Sequence, residues 1–195
     1  MKNKKYKEKY SKKTAKKPVR NKKLVDYNWI IKITIATFFI SLVFSLVSET
    51  IIPNANIFIS IILVLLFIGI GILFDIIGVS VTVADIKTFN SMSSKNIKGA
   101  KLAVKLIKNA EKVSSFCNDV IGDICGIISG STSASIALIV SSKFDFNLLL
   151  ISLIITAIVA SLTIGGKAIG KSIAINKSDS IIYKFSSLLA IFYRK

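Results

Sequence analysis

The sequence predicts an all-α integral membrane protein with about four transmembrane helices, an amphipathic cytoplasmic linker helix and an amphipathic C-terminal helix. Hydrophobic residues make up 52% of the 195 residues, and the mean hydropathy is +0.66. Four long runs carry no Asp, Glu, Lys or Arg: 33–48, 50–74, 124–142 and 146–166. Because a helix needs about 20 mostly apolar residues to cross a bilayer, and lipid offers no partner to an unpaired backbone group, these runs predict membrane-spanning helices.

The predicted spans cover roughly residues 29–52, 56–80, 117–142 and 147–170. The turn sequence Pro53-Asn54-Ala55-Asn56 separates the first two. The first span is longer than the apolar part of a cleavable signal peptide, about 7–15 residues, and no small-residue cleavage site follows it. Residues 29–52 are therefore predicted to form an additional N-terminal transmembrane helix.

Basic residues fall almost entirely on one side of these spans. Twelve lie in residues 1–23, seven in the loop 86–112 and six from Lys167 onward, whereas Lys143 alone falls in a loop on the other side. Short loops rich in Lys and Arg stay in the cytoplasm. The sequence thus predicts a multi-pass protein of the cell membrane with both termini cytoplasmic, and its bias toward Ile, Lys and Asn favours a bacterial inner membrane.

The segment 1–28 is predicted to be a disordered basic cytoplasmic tail. Its first 23 residues hold twelve basic residues against one acid, Glu8, and such a run cannot bury a core. Beside a membrane it would be attracted to anionic lipid, with on the order of 1 kcal/mol per basic residue near the surface. Nucleic acid is the alternative partner, and Tyr6 and Tyr10 give that alternative little support.

Two further segments have helical periodicity with one apolar side. In residues 100–113 the lysines fall opposite the apolar residues, which predicts a helix that lies on the membrane surface or docks on the bundle. After the last span, Ser178 or Asp179 is a suitable N-cap for a short helix. These are the predicted linker and C-terminal helices.

Small and charged residues interrupt the last three spans. Gly122, Gly126 and Gly130 recur every four residues, a spacing that favours close helix packing in lipid, inside the bundle or across a homodimer. Carboxylates in or near a span are costly and usually face a partner or water; they are Asp75, Asp119 and Asp123. No His is present, and nothing supplies a nucleophile–base pair, so an enzyme is not predicted.

The order of these segments resembles the transmembrane domain of the CNNM/CorC magnesium-transport family. "FDIIGVSVTVAD" (74–85) is similar to that family's Phe-Ser-Gly motif, and "KGAKLAVKLIKNAEKV" (98–113) to its basic linker. "VIGDIC" (120–125) is similar to its Gly-Asn stretch, and "GKAIGKSIAIN" (166–176) to its last motif. The resemblance covers residues 57–190, so the first span and the basic tail lie outside it.

The resemblance implies a modified ion site. Where the family holds its metal with serine, asparagine and glutamate, this chain has Asp75, Asp123 and Lys167, the second with about two residues of alignment slack. Lys167 would be a counter-ion for the two carboxylates, or it would simply extend to the lipid headgroups. Further cation-binding candidates lie close by: Ser80, Thr82, Asn118 and Asp119.

The resemblance also implies a function. It predicts transport or homeostasis of a divalent cation, Mg²⁺, with that ion as the only ligand. The alternative is a non-transporting relative that regulates or partners another membrane protein, which Lys167 at the glutamate position favours. A homodimer in the lipid bilayer is expected, because the family's membrane domain is a dimer. The nucleotide-sensing CBS domains of larger relatives are not expected, and neither is regulation by ATP.

Overall fold

The computed structural model describes residues 27–51 and 56–192, which form helices and no strand. The α-helices are α1 Tyr27–Ile51, α2 Ile57–Val83, α3 Ile86–Ser94, α4 Ala100–Lys108, α5 Ala110–Ser115, α6 Gly122–Phe144, α7 Leu148–Asn176 and α8 Ser178–Phe192. A π-helical turn, Phe116–Ile121, joins α5 to α6. The first 26 residues of the predicted basic tail, with their expected affinity for anionic lipid, and residues 53–55 of the predicted turn lie outside the described residues.

Four helices are long and apolar enough to cross a membrane: Tyr27–Leu46, Ile57–Val83, Ala110–Phe144 and Leu148–Asn176. This confirms the predicted all-helical class and the number of long apolar helices in the described part of the chain. The prediction of one helix over 100–113 was wrong, because the backbone breaks at Asn109 and residues 110–113 begin the third long helix. The fourth helix also continues beyond residue 170 to Asn176.

Helix α1 is apolar around its circumference. Large side chains such as Ile31, Phe38, Phe39 and Val43 are more than half exposed along its length. A helix that is apolar on all sides belongs in a large core or in a membrane. The chain divides into two compact units within this helix, at residues 35 and 36.

Helices α2, α6 and α7 form a three-helix bundle in which α2 contacts both partners. Helix α6 is antiparallel to α2, since Gly71 lies opposite Cys125 and Gly78 lies opposite Asn118. The part of the bundle distant from these contacts is filled by large apolar side chains. They are Val64, Ile68 and Ile136, with Ile72, Val140, Ile155 and Val159 packed around them.

Helix α7 runs parallel to α2 with a constant register. Ile72 lies against Gly166 and Ile76 against Gly170, and the Ser80 hydroxyl donates to the Ala174 carbonyl at 3.4 Å. Each contact joins residues 94 positions apart. The two glycines give room to the two isoleucines, which is the close approach that small residues permit between helices in lipid.

Neighbouring glycines of α7 provide a matched test of this packing. A Cβ at Gly166 would overlap the Ile72 side chain, whereas a Cβ at Gly165 would meet no atom within 4 Å. We expect Gly166→Val to lower the free energy of unfolding by about 1–3 kcal/mol through overpacking. Gly165→Val should have little effect. Thermal unfolding of the purified variants measures the difference, and equal losses would contradict the register.

A smaller layer of helices α3, α4 and α8 packs at the end of α2. Its core consists of Val81, Ala84, Phe89, Ala103 and Ile182. The predicted linker helix is thus docked on protein, because its apolar side is buried at Ala100 and Ala103 while its lysines, such as Lys101 and Lys108, stay exposed.

Two contacts with α8 hold this layer, one from Asp85 directly before α3 and one from Gly99 directly before α4. The Asp85 carboxylate caps α3 by accepting from the Lys87 backbone N–H at 2.9 Å. The Asp85 backbone N–H in turn donates to Asp179 Oδ1 at 3.0 Å. At the other side of the layer, Gly99 has a φ of +82° and its backbone approaches Ser187 so closely that no Cβ fits there. The two contacts therefore fix α8 against the starts of α3 and α4.

Candidate ion site

The side chain of Asn118 lies in the π-helical turn with an unpartnered buried oxygen. Its Nδ2 donates to Ser114 Oγ at 3.4 Å. Its Oδ1 is the only buried side-chain polar atom without a hydrogen-bond partner among residues 27–51 and 56–192. Leaving a buried acceptor unsatisfied costs about 1–3 kcal/mol. This oxygen is therefore an acceptor open to a water molecule or a cation.

The π-helical turn itself is a second indication of a site. Such turns are rare, and they appear within α-helices frequently at functional sites. Here the turn covers Phe116–Ile121 and lies within the third long apolar helix. It changes the rotation of the chain just where Asn118 meets α2, so the amide faces the bundle.

Gly78 of α2 makes room for the amide. A Cβ at Gly78 would overlap the Asn118 carboxamide, so the amide lies directly on the backbone of α2. Gly78 is buried. This contact fixes Asn118 Oδ1 between α2 and the π-helical turn.

Asp75 lies on the same side of α2. Gly71 and Gly78 both face the third long helix, through Cys125 and Asn118. Asp75 comes four residues after the first and three before the second, so it lies between them on that helix face. Its side chain is half-buried. A carboxylate and an amide oxygen are hard ligands of the kind that Mg²⁺ prefers.

Lys167 extends from α7 toward α6. Its Nζ lies 3.5 Å from the position that a Cβ on Gly122 would occupy. Lys167 is half-buried, whereas Lys171, one turn later, is exposed. The ammonium therefore lies at the contact between α6 and α7.

Lys167, Asp75 and Asp123 lie at a similar level along the bundle, but they do not form ion pairs with one another. From the registers of the bundle, Lys167 lies level with residue 73 of α2, and Asp75 and Asp123 lie within about one helical turn of that level. Within the described residues, no ion pair shorter than 4.0 Å joins Lys167 to Asp75 or to Asp123. Asp123 is exposed, because it points away from α2 between buried Gly122 and Ile124.

The remaining predicted ligands are dispersed. Ser80 is buried at the contact with α7, where its hydroxyl donates to the Ala174 carbonyl. Thr82 is exposed and donates to the Val79 carbonyl at 2.7 Å. Asp119 is exposed and accepts from Ser115 Oγ at 2.5 Å. Of the candidate ligands, Asn118 and Asp75 are the two that face the contact between α2 and the third long helix.

The three glycines predicted to pack against another helix differ in burial. Gly122 is buried beside Lys167. Gly126 and Gly130 are exposed, and a Cβ at either would meet no atom within 4 Å. Packing inside the bundle therefore does not explain these two glycines, and their side of α6 faces outward.

The side chains present limit what the site can hold. No group of three or more His, Cys, Asp or Glu side chains is found among the described residues. The oxygen groups on this contact are the Asn118 amide and, on the same face of α2, the Asp75 carboxylate, so most ligands of a cation here would be water. Mg²⁺ usually keeps several of its water ligands, so a small set of protein ligands suits that ion.

Comparisons with family models, curated proteins and solved structures give no match to this chain. The resemblance to the CNNM/CorC family therefore stays a prediction based on the order of the motifs. The motif order predicted the asparagine position at Asp123, whereas in the structure the half-buried side chain of Asn118 lies against Gly78.

Proposed function

We propose that this protein is a multi-pass membrane protein that takes part in the transport or homeostasis of a divalent cation, Mg²⁺, through a modified ion site. The observation that carries the proposal is the buried, unpartnered Oδ1 of Asn118, held against Gly78 in a π-helical turn. Because no group in the described part of the chain donates to this oxygen, it is free to bind a cation. The modified CNNM/CorC-like site is proposed here on Asn118 and Asp75.

Placement in a membrane is supported by the outward faces of the long helices. Helices α1 and α7 carry exposed large apolar side chains along much of their length, such as Phe39, Leu150 and Ile158. Lysines concentrate in the layer of α3, α4 and α8. Because loops rich in Lys and Arg stay in the cytoplasm, the layer and both termini are proposed to be cytoplasmic.

The polar groups support cation binding more than anion binding. Asn118 Oδ1 and the Asp75 carboxylate are both acceptors, and both face the contact between α2 and the third long helix. One carboxylate and one amide bind a hydrated divalent ion weakly, since tight sites use more charged oxygen ligands. Weak binding is compatible with passage of the ion, which must leave the site as well as enter it.

The test is Mg²⁺ influx into liposomes that contain the purified full chain and a Mg²⁺-sensitive dye. We expect saturable influx with the wild type and a loss of at least about tenfold with Asn118→Leu, because the leucine removes the oxygen and keeps the shape of the side chain. Asn90→Leu, at an exposed position of α3, is the matched control and should conduct like the wild type.

Protein-free liposomes set the baseline, and circular dichroism checks that each reconstituted variant is folded. Influx that is equal in the wild type and Asn118→Leu would exclude Asn118 from the path. Absence of influx in folded wild type would contradict the transport proposal and leave the second candidate function.

That second candidate is a non-transporting relative that regulates or partners another membrane protein. The outward side of α6 favours it, because Asp123, Gly126 and Gly130 are exposed there with open space beside both glycines. Small residues on an outward helix face permit close approach of another transmembrane helix, from a partner or from a second copy in a homodimer. Cross-linking of Gly126→Cys or Gly130→Cys in membranes, with Cys117 and Cys125 both replaced by Ala, distinguishes the homodimer from a foreign partner.

A further inference from the structure

We propose that Lys167 is a tethered cation that regulates the Asn118 site by competing electrostatically with the solute cation. This inference rests on the proposed function, because it concerns access to the same site. It adds that the charge of the Lys167 ammonium sets how readily a divalent ion enters the Asn118 site.

The ammonium of Lys167 lies beside Gly122. Lys167 Nζ lies 3.5 Å from the Cβ position of Gly122. Gly122 follows Asn118 by four residues and comes directly after the π-helical turn, so the two lie within about one turn of each other along the third long helix. The ammonium therefore approaches the third long helix about one turn after Asn118.

The absence of a side chain at Gly122 leaves space for the ammonium. Gly122 is buried and has no side chain to separate α6 from Lys167. The Cys117 carbonyl oxygen lies 3.8 Å from the same Cβ position, so the lysine approaches α6 where backbone oxygen is also near. A long flexible side chain at this point can extend further toward Asn118 or withdraw from it.

The positive charge of Lys167 is not paired with a carboxylate of the described residues. Within residues 27–51 and 56–192, the Lys167 ammonium has no carboxylate within 4.0 Å. Its charge is therefore not cancelled by a direct ion pair. Charges interact far more strongly in a protein interior than in water, so a divalent ion at Asn118 would be repelled until the ammonium moved away.

The experiment is the same Mg²⁺ influx measurement with Lys167→Met, which keeps the length of the side chain and removes the charge. We expect its initial rate to exceed the wild-type rate at least about tenfold, as expected for removal of one unit charge near a divalent ion at an effective dielectric constant of about 20. Lys171→Met is the matched control, because Lys171 is exposed on the next turn of α7, and it should leave the rate unchanged. Lys167→Arg keeps the charge and should also stay near the wild-type rate.

The outcomes separate this inference from the function on which it rests. Equal influx in the wild type and Lys167→Met, with both abolished by Asn118→Leu, would overturn the role of Lys167 and leave the ion site intact. A lower rate in Lys167→Met would overturn it as well. Absence of influx in every folded variant would overturn both proposals. If Lys167→Met fails to fold, Lys167→Gln replaces it under the same criteria.

Discussion

Replacing Phe89 with Ala is expected to lower the free energy of unfolding by about 3–5 kcal/mol, the range for a large side chain removed from a packed core. Phe89 is 0% exposed, and it lies in the cluster with Val81, Ala84, Ala103 and Ile182. The cluster joins the end of α2 to α3, α4 and α8. The substitution therefore leaves a cavity where the whole layer meets the bundle.

Phe58→Ala is the matched control, because Phe58 is 69% exposed at the start of α2. Thermal unfolding in detergent, followed by circular dichroism, gives the overall loss of stability, and limited proteolysis shows whether α4 and α8 become accessible first. Equal small losses for the two variants would contradict the packed layer.

The long apolar helices were predictable from the sequence because composition alone identifies them. Runs such as 50–74 and 146–166 lack charge, and both lie largely within helices of the structure. The end of α7 was less predictable. It continues through Lys167 and Lys171 to Asn176, because lysine is a good helix former and a charged residue does not by itself end a helix.

The linker shows why local hydrogen bonds limit prediction from periodicity. The apolar pattern of 100–113 is helical throughout, yet the chain breaks at Asn109. Asn109 has a φ of −113°, and its Nδ2 donates to the Lys105 carbonyl at 2.8 Å. Asparagine side chains compete with the helical backbone in this way, so the break separates the docked helix α4 from the third long helix.

The depth of the charged residues in the candidate site was predictable, but their direction was not. Charge positions along the spans place Asp75, Asp123 and Lys167 near one level. Which residue faces which depends on rotation about each helix axis, and the π-helical turn at Phe116–Ile121 changes that rotation. Uniform helical periodicity does not reveal such a turn. The contact of Asn118 with Gly78 therefore emerged only from the structure.

The second large effect is expected at Asn118. Asn118→Leu should abolish stabilisation of the protein by Mg²⁺, because it removes the buried Oδ1 that has no protein partner. In the absence of the ion its stability should equal or exceed that of the wild type, since an apolar side chain of the same shape ends the cost of an unsatisfied acceptor. Asn118→Asp keeps an oxygen in place and should retain the response to Mg²⁺.

A purely structural role for Asn118 predicts the opposite pattern. If the amide served only through its contact with Ser114, at 3.4 Å between Nδ2 and Oγ, then Asn118→Leu would change stability equally with and without Mg²⁺. The stability difference between the two conditions therefore isolates ion binding from folding.

The most direct measurement is the thermal unfolding of the wild type and Asn118→Leu across a Mg²⁺ titration at constant ionic strength. A single site adds about 2.7 kcal/mol at an ion concentration about 100-fold above its dissociation constant. We expect a saturating rise in the unfolding temperature for the wild type and none for Asn118→Leu. The same rise in both proteins would contradict a cation site at Asn118, and so would a wild type whose unfolding temperature does not respond to Mg²⁺.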